Sequence, residues 1–391
     1  MTSWSKRHRE VAIVGIHTTQ QALSIDRPVL SLCLEAVRGA VDDAGIDKRD
    51  IDGISGKWPG PGGTVMEPGS LDWATLLGIP LRWKNDSYPG GVPALLSATA
   101  AISAGLCETV LIVGGQSRTK VPGAAIAYTR PDNEFTVCYG SSTPSQFALV
   151  AQQWFRRFGG DPRKMAEIAA SIRNMGAVRE GAAMFGRGPY TAQDVLDSPL
   201  VVEPFHLLEL CLASEGAVAV IVTSEERARD CRSLPVRVLG GGMEFRLQQY
   251  VEAPRYEDTH DLGADAMRRA TAMAGVTRDD IDVFSLYDPN AWEIARQFEA
   301  LGYCAEGEGL DFVVAHGIGA ERGRLAVNTD GGLMSYGHLG ISGPTLKIVE
   351  AVRQLRGTAT SSQVADAKLA LVTGAGAGAQ YFNLAILGRP D

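Results

Sequence analysis

The sequence has 391 residues, of which 45% are hydrophobic and 21% are charged, and its formal net charge is -8 at pH 7. This composition is that of an ordinary globular protein, which argues against both a disordered chain and a membrane-spanning one. The negative net charge argues against a general nucleic-acid binder, because such proteins need a basic face for the phosphates. A chain of this length predicts two or three domains, or one large duplicated unit.

The amino-terminal residues and the cysteines indicate the compartment. Residues 1–10 are basic, but the apolar run that follows, Val11–Ile16, is too short for the core of a secretory signal. We therefore expect a cytoplasmic protein. The six cysteines form no CxxC pair, which disfavours a disulfide framework and a zinc site and suggests packing roles. We expect no metal site.

The predicted elements alternate between buried strands and amphipathic helices. Val11–Ile16 predicts the first strand. In Leu30–Ala44 the apolar side chains repeat at helical spacing, which predicts a helix lying on a sheet. Thr109–Val113 and Ala217–Val222 are almost wholly apolar, which is typical of strands that are buried on both faces.

The segment 121–200 differs from its surroundings. It contains Gly, Pro and two amphipathic stretches, Gln146–Phe158 and Arg163–Val178, and we predict a loop domain inserted over the active site. Pro199 and Pro204 mark the return of the chain to the core.

One short sequence occurs twice. AGIDKRDID, at residues 44–52, recurs as AGVTRDDID at residues 274–282, and Leu111–Gly115 similarly matches Leu371–Ala375. The repeat predicts a duplicated α/β unit. We place the first half at 1–120 together with 201–230, and the second half at 231–391.

Four stretches in the same order resemble motifs of the thiolase superfamily, and within it the sterol-carrier-protein-X or lipid-transfer-protein type. The resemblance covers nearly the whole chain. It implies two βαβαβαββ halves stacked in α-β-α-β-α layers, with an inserted loop domain. The four stretches are NDSYPGG at 85–91, residues 204–219, residues 285–309 beginning with SLYD, and NTDGG to GHLGISG at 328–343.

The resemblance does not extend to the two catalytic cysteines of thiolases. In thiolases the first cysteine is acylated and the second moves a proton. Here the first position falls on Tyr88, and the second falls near Val372 or Thr373. A phenol, with an ordinary pKa of about 10, is a poor acyl carrier at neutral pH. The resemblance therefore implies that the covalent thiolase route is lost.

The electrostatic part of a thiolase site is retained. His338 keeps the Gly-His setting, and Tyr287 stands where thiolases have the Asn or His of the oxyanion hole, so the pair would stabilise an enolate. Tyr336 and Tyr88 would add phenols for proton transfer. Each residue also has a structural interpretation: a tyrosine at a strand end often packs with its hydroxyl on a backbone carbonyl, and His338 could serve as a structural histidine.

Four further residues are candidates for substrate binding. Asp288 and Asn290 flank Tyr287, and would either orient it or cap the following helix. Gly376 and Gly378 lie in a glycine-rich run that resembles the thiolase loop which gives a backbone N–H to the substrate carbonyl. The same run is equally typical of a tight turn between strands.

Members of this branch that lack the two catalytic cysteines include steroid side-chain aldolases, which cleave a β-hydroxyacyl-CoA. They work with a small partner that contains a zinc ribbon and an OB fold. The resemblance implies a retro-aldol carbon–carbon lyase in which Tyr287 takes the β-hydroxyl proton and His338 or Tyr336 assists. A tyrosine base requires a lowered pKa or a neighbour that relays the proton.

Two alternatives remain open from the residues. The chain would be an acyltransferase or condensing subunit that uses Cys138 or a thiol of its partner, or a non-catalytic subunit of a heteromeric thiolase. We expect a homodimer, the small partner described above, and CoA as part of the substrate. We expect no tightly bound cofactor, no nucleic acid and no membrane insertion.

Overall fold

The computed structural model describes residues 9–56, 69–86, 90–117, 142–247 and 251–390. The strands in these ranges are β1 (Val11–Thr18), β2 (Gly53–Gly56), β3 (Trp83–Asn85), β4 (Thr109–Gln116), β5 (Leu200–Val202), β6 (Phe205–His206), β7 (Gly216–Ser224), β8 (Val236–Phe245), β9 (Val283–Ser285), β10 (Leu369–Ala375) and β11 (Tyr381–Gly388). The α-helices in the same ranges are α1 (Val29–Ala44), α2 (Ser70–Leu77), α3 (Val92–Ser103), α4 (Thr143–Phe158), α5 (Pro162–Ala177), α6 (Ala192–Leu196), α7 (Glu225–Ala228), α8 (Tyr256–Thr259), α9 (Ala264–Ala274), α10 (Ala291–Ala300), α11 (Gly309–His316), α12 (Gly332–Ser335) and α13 (Gly343–Arg356).

Nine strands form one mixed sheet in the order β3-β2-β4-β7-β1-β8-β11-β10-β9. The order β2-β4-β7-β1 on one side is mirrored by β9-β10-β11-β8 on the other. The pairs β2/β4 and β9/β10 are parallel, whereas β4/β7, β10/β11, β1/β7 and β8/β11 are antiparallel. The two half-sheets meet where Ala12 pairs with Arg237 and Ile13 with Val236. The predicted duplication is confirmed.

The repeated sequence forms the same turn in both halves. Helix α1 ends at Gly45 and α9 ends at Gly275, and each glycine has a φ of 69°. This left-handed conformation costs a glycine little, which explains why Gly recurs at that place. A short 3₁₀ turn follows in both copies, at Lys48–Asp50 and at Arg278–Asp280.

The aspartate that ends each copy hydrogen-bonds to the start of the strand that lies parallel to its own in the sheet. Asp52 Oδ1 accepts hydrogen bonds of 2.9 Å from the backbone N–H groups of residues 108 and 109. Asp282 Oδ2 accepts equivalent bonds of 2.8 and 3.0 Å from residues 368 and 369. The sequence repeat is therefore a structural repeat at the level of single hydrogen bonds.

Three apolar cores define the layers. One core lies between α1, α2 and the outer face of the first half-sheet. A second contains α3 and α13 together with inward-facing strand residues of both halves, such as Val220 and Ala385, so these helices form a central layer. A third joins the second half-sheet to α9 and α10, with α4 and α5 packed beyond them. This is the predicted α-β-α-β-α arrangement.

The described part of the inserted region, residues 142–200, contains both predicted amphipathic helices as α4 and α5. Helix α5 packs on α12 so closely that a Cβ at Gly176 would lie 2.2 Å from Ser335 Oγ. Backbone bonds from Ala183 N–H to Tyr336 O (2.8 Å) and from Met184 N–H to Ser335 O (3.2 Å) extend the contact. The insertion therefore lies directly on the loop that bears Tyr336. The boundaries of the three units stay a prediction.

Helices long and apolar enough to cross a bilayer are not found among the described residues.

Candidate active site

Two loops at the ends of neighbouring elements form the candidate site. The first is the turn 286–290 that follows β9, and the second is the loop 328–342 that leads into α13. They are joined by the Asp288 carboxylate, whose Oδ1 accepts from Leu333 N–H at 3.0 Å and whose Oδ2 accepts from Met334 N–H at 3.4 Å. A Cβ at Gly332 would lie 2.1 Å from Asp288 Oδ2, so only glycine fits there.

Lys347 of α13 neutralises this buried carboxylate. Its Nζ lies 2.5 Å from Asp288 Oδ1, and the two side chains are 1% and 0% exposed. Burial raises the pKa of the Asp288 carboxyl, against the lowering effect of Lys347 and of the Leu333 N–H. The hydrogen-bond and ion-pair partners of the Asp288 carboxylate among the described residues belong to α12 and α13, which gives Asp288 a role in holding the two loops together.

The backbone of Tyr287 is held by a closed set of hydrogen bonds. Its N–H donates to Thr373 Oγ1 at 2.8 Å, and the Thr373 hydroxyl donates in turn to Gln297 Oε1 at 2.6 Å. Gln297 Nε2 completes the ring by donating to the Tyr287 carbonyl at 2.7 Å. All three residues are buried. Thr373, near which the second thiolase cysteine position falls, therefore positions the Tyr287 backbone.

The Tyr336 hydroxyl has polar partners on two other elements. It lies 2.8 Å from the Thr18 hydroxyl at the end of β1, and it accepts a 3.2 Å bond from Arg353 Nη1 of α13. Arg353 Nη2 also donates to Thr18 Oγ1 at 2.8 Å. The side chain of Tyr336 is 3% exposed. The phenol oxygen is thus fixed by a guanidinium and a second hydroxyl.

His338 is half-buried at the end of the same loop. Its backbone N–H donates to Ser214 Oγ at 2.7 Å, and its Nδ1 accepts from Gly340 N–H at 3.3 Å. Because Nδ1 accepts a hydrogen bond, the neutral imidazole carries its proton on Nε2. This tautomer gives the ring a donor, which an oxyanion site requires.

Asn290 caps α10, the helix that follows it. Its Oδ1 accepts from Glu293 N–H at 2.9 Å, which is the capping role open to it from sequence. Its Nδ2 is buried and has no hydrogen-bond partner within the described ranges.

The two candidate glycines lie in a tight turn between β10 and β11. The Gly376 N–H donates to the Tyr381 carbonyl at 3.0 Å, and a Cβ at Gly376 would lie 2.2 Å from the Tyr381 ring. Gly378 has a φ of +64°, and a Cβ there would lie 2.6 Å from Pro254. The bond to Tyr381 occupies the Gly376 N–H, which favours the turn interpretation for that residue.

Tyr88, at the position of the thiolase nucleophile, and Cys138 both lie outside the described residues. Burial raises the pKa of four described cysteine thiols to about 12. A thiol with such a pKa is protonated at neutral pH and is a poor nucleophile. These cysteines are Cys33, Cys107, Cys211 and Cys304.

Sequence reasoning missed most of the residues that hold the candidate tyrosines and Asp288. Arg353 and Lys347 occur in an amphipathic helix, where charged residues usually face water. Thr18 lies more than 300 residues from its partners, and Gln297 lies 76 residues from Thr373, so no local pattern indicates these contacts. A signal was available only for Thr373, because it stands near the position of a thiolase cysteine.

Comparisons with known proteins place these features in a family. Residues 251–389 match the thiolase C-terminal domain-like family. The 17-hydroxy-3-oxo-4-pregnene-20-carboxyl-CoA lyase of Mycobacterium tuberculosis is 32% identical over 97% of this chain and 99% of its own length. The steroid side-chain-cleaving aldolase of Thermomonospora curvata is 31% identical over 96% of this chain and 97% of its own.

Solved structures agree with the sequence relatives. The Ltp2-ChsH2(DUF35) aldolase has a TM-score of 0.83 at 27% identity, and the match covers 97% of this chain and 98% of that chain. Human mitochondrial 3-ketoacyl-CoA thiolase has a TM-score of 0.69 at 16% identity over 98% and 99% of the two chains, which shows the shared fold. This chain therefore belongs to the thiolase superfamily, in the branch that contains the sterol carrier protein 2-like thiolases and the steroid side-chain-cleaving aldolases.

Proposed function

We propose that this protein is a carbon–carbon lyase that cleaves a β-hydroxyacyl-CoA by a retro-aldol reaction, without an acyl-enzyme. One observation carries the proposal: in a chain that is similar over nearly its full length to a CoA-ester lyase and an aldolase, Tyr287 and the pair Tyr336 and His338 lie on two loops that hydrogen-bond to each other. The thiolase cysteine positions are occupied by other residues.

The chemistry of the described thiols supports a non-covalent route. An acyl-enzyme requires a thiolate or an activated hydroxyl. Burial raises the pKa of the four thiols named above and so favours their neutral form, which is a poor nucleophile. A retro-aldol reaction needs only a base for the β-hydroxyl and donors for the thioester oxygen.

The proposed steps use the phenols and the imidazole. A tyrosine oxygen takes the β-hydroxyl proton, the bond between the α and β carbons breaks, and the hydroxyl carbon becomes a ketone or aldehyde. The bond's electron pair passes to the α carbon as a thioester enolate, and protonation there gives a shorter acyl-CoA. His338 and Tyr287 would stabilise the enolate oxygen. The Arg353 contact favours Tyr336 as the base, in place of Tyr287.

The names of the relatives support a proposal for the substrate and the partners. Because the two sequence relatives are named for a steroid carboxyl-CoA and for steroid side-chain cleavage, we assign an acyl-CoA with a steroid or lipid side chain. CoA enters as part of the substrate, and no tightly bound cofactor is needed. The structural neighbour is a complex with a DUF35 protein. We propose a small partner of that kind with a zinc ribbon and an OB fold, on a homodimeric core.

The test is an assay of the copurified complex with a panel of β-hydroxyacyl-CoA substrates. We expect a ketone or aldehyde together with a shorter acyl-CoA. His338→Ala should lower kcat by about 100- to 1000-fold, as loss of an oxyanion donor does, and Tyr287→Phe, which removes the second donor, by about 100-fold.

Three outcomes would contradict the proposal. If no substrate yields a carbonyl product, the lyase assignment fails. A covalent acyl adduct on this chain would instead support the acyltransferase. Unchanged activity in both variants would show that the chain is a scaffold and that catalysis lies in the partner.

A further inference from the structure

The Tyr336 hydroxyl, a candidate catalytic group, accepts a hydrogen bond from the cationic side chain of Arg353. We propose that Arg353 is a positioning residue for catalysis: its guanidinium holds the Tyr336 oxygen and stabilises the negative charge that this oxygen carries as the base. The inference rests on the proposed function and adds a residue that none of the motifs indicated.

The contact has the geometry of a fork. One guanidinium nitrogen of Arg353 donates to the Tyr336 oxygen at 3.2 Å, and the other donates to Thr18 Oγ1 at 2.8 Å. The two hydroxyl oxygens are themselves 2.8 Å apart. Because Thr18 Oγ1 accepts from Arg353, its own proton is available to the phenol oxygen. An ionised Tyr336 therefore receives two donors, one of them charged.

Arg353 keeps its positive charge in this environment. Burial lowers the pKa of the guanidinium, but the Tyr336 hydroxyl and the Glu350 and Asp330 carboxyls outweigh that effect and hold the pKa above its ordinary value. The planar fork also suits two oxygens better than a lysine ammonium does. Arg353 thus supplies a permanent cation at a fixed distance from the phenol.

This arrangement places a cation and a second donor beside the proposed tyrosine base. In the retro-aldol step the β-hydroxyl proton moves to the Tyr336 oxygen, and the electron pair of the broken bond becomes the enolate. The neutral phenol then returns its proton to the enolate carbon, which regenerates the phenolate beside Arg353. One substrate molecule gives one carbonyl compound and one shorter acyl-CoA, and no proton is consumed.

The same helix provides a matched control. Arg356 lies three residues after Arg353 and also reaches β1, where its Nη2 donates to the Val14 carbonyl at 2.9 Å. Its Nη1 lies 2.7 Å from the Asp43 carboxylate. Arg356 therefore joins the same two elements as Arg353, and its hydrogen-bond partners among the described residues are carbonyls and a carboxylate.

The experiment is a double-mutant cycle on the complex, with Arg353→Gln and Arg353→Lys each made alone and together with Tyr336→Phe. We expect Arg353→Gln to lower kcat by about 10- to 100-fold with KM nearly unchanged, which is the effect of losing one hydrogen bond to a charged group. Arg353→Lys should restore part of the loss. In the Tyr336→Phe background neither change should lower kcat further.

Two controls keep the result interpretable. Arg356→Lys should retain the wild-type kcat, and thermal unfolding of each variant reports whether the fold is kept. If Arg353→Gln does not fold, Thr18→Val tests the same fork from β1, and it should lower kcat by a smaller factor only when Tyr336 is present.

The outcomes separate the two claims. If the wild-type complex cleaves no β-hydroxyacyl-CoA, the proposed function fails and this inference fails with it. If the wild type is active but Arg353→Gln keeps its kcat, only the inference is overturned. The same holds if Arg353→Gln lowers kcat by the same factor with and without Tyr336.

Discussion

The helices α3 and α13 lie in the same central layer between the half-sheets, but they bury different kinds of side chain. The buried residues of α3 are Val92, Pro93, Ala94, Leu95, Ala98, Ala101 and Ile102, all apolar. Helix α13 buries apolar residues as well, but also Lys347, Glu350 and Gln354, each 1% exposed. The same place in the fold therefore carries an apolar helix in one half and a polar one in the other.

Two buried charged groups of α13 contact the loops of the candidate site. Lys347 pairs with Asp288, whereas Glu350 accepts from the Thr329 hydroxyl at 2.9 Å and pairs with Arg179 at 3.1 Å. Burying a charge is costly unless it is paired and hydrogen-bonded. The difference between the helices indicates that duplication supplied the frame, and that the second half was then adapted to hold two loops in fixed positions.

The largest effect should come from breaking the pair that joins α13 to the turn after β9. Asp288→Asn keeps an acceptor for the α12 N–H groups but leaves the Lys347 ammonium buried without a carboxylate. We expect a loss of about 3–5 kcal/mol in the free energy of unfolding, measured by urea denaturation. Adding Lys347→Met should recover most of the loss, and failure to recover it would show that the charge pair is not the cause.

A smaller effect should follow from loosening Tyr287. Thr373→Val removes the hydroxyl between the Tyr287 N–H and Gln297, leaving two buried polar groups unpaired, at a cost of about 1–3 kcal/mol in unfolding free energy. We expect kcat to fall as well, because Tyr287 loses its fixed backbone. Thr373→Ser keeps the hydroxyl and should behave almost as the wild type. Equal losses in the two variants would exclude this role of the hydroxyl.

The smallest effect concerns the repeated turn, where the halves are alike. Asp52→Ala and Asp282→Ala each remove two backbone hydrogen bonds at a partly or fully exposed position, so each should cost about 1 kcal/mol. Unfolding measured in parallel should give similar losses for both and leave kcat unchanged. A large difference between them would mean that the two turns are not equivalent in energy.

The sequence predicted the frame well because the frame is built from local patterns. Helical spacing located α1, α4 and α5, apolar runs located β4 and β7, and the repeated nonapeptide indicated the duplication. The family motifs indicated the fold, which is confirmed.

Those local patterns do not predict the buried charged residues that hold the loops of the site in place. A lysine and a glutamate in α13 predict a solvated face by helical periodicity, and their burial depends on partners such as Asp288 and Arg179 that are distant in sequence. Likewise, the Asp288 carboxylate joins α12, a helix more than forty residues away, so capping rules for the adjacent helix do not reach it. The catalytic assignments of Tyr287, Tyr336 and His338 stay predictions.

The most direct test of the central claim follows carbon–carbon cleavage and the mass of this chain in one reaction. The purified complex is mixed with a β-hydroxyacyl-CoA that carries a steroid side chain, and the small-molecule products and the intact protein mass are measured at successive times. We predict equal amounts of carbonyl product and shorter acyl-CoA, with the mass of the chain unchanged throughout. An acylated chain, or the absence of a carbonyl product, would contradict retro-aldol cleavage without a covalent intermediate.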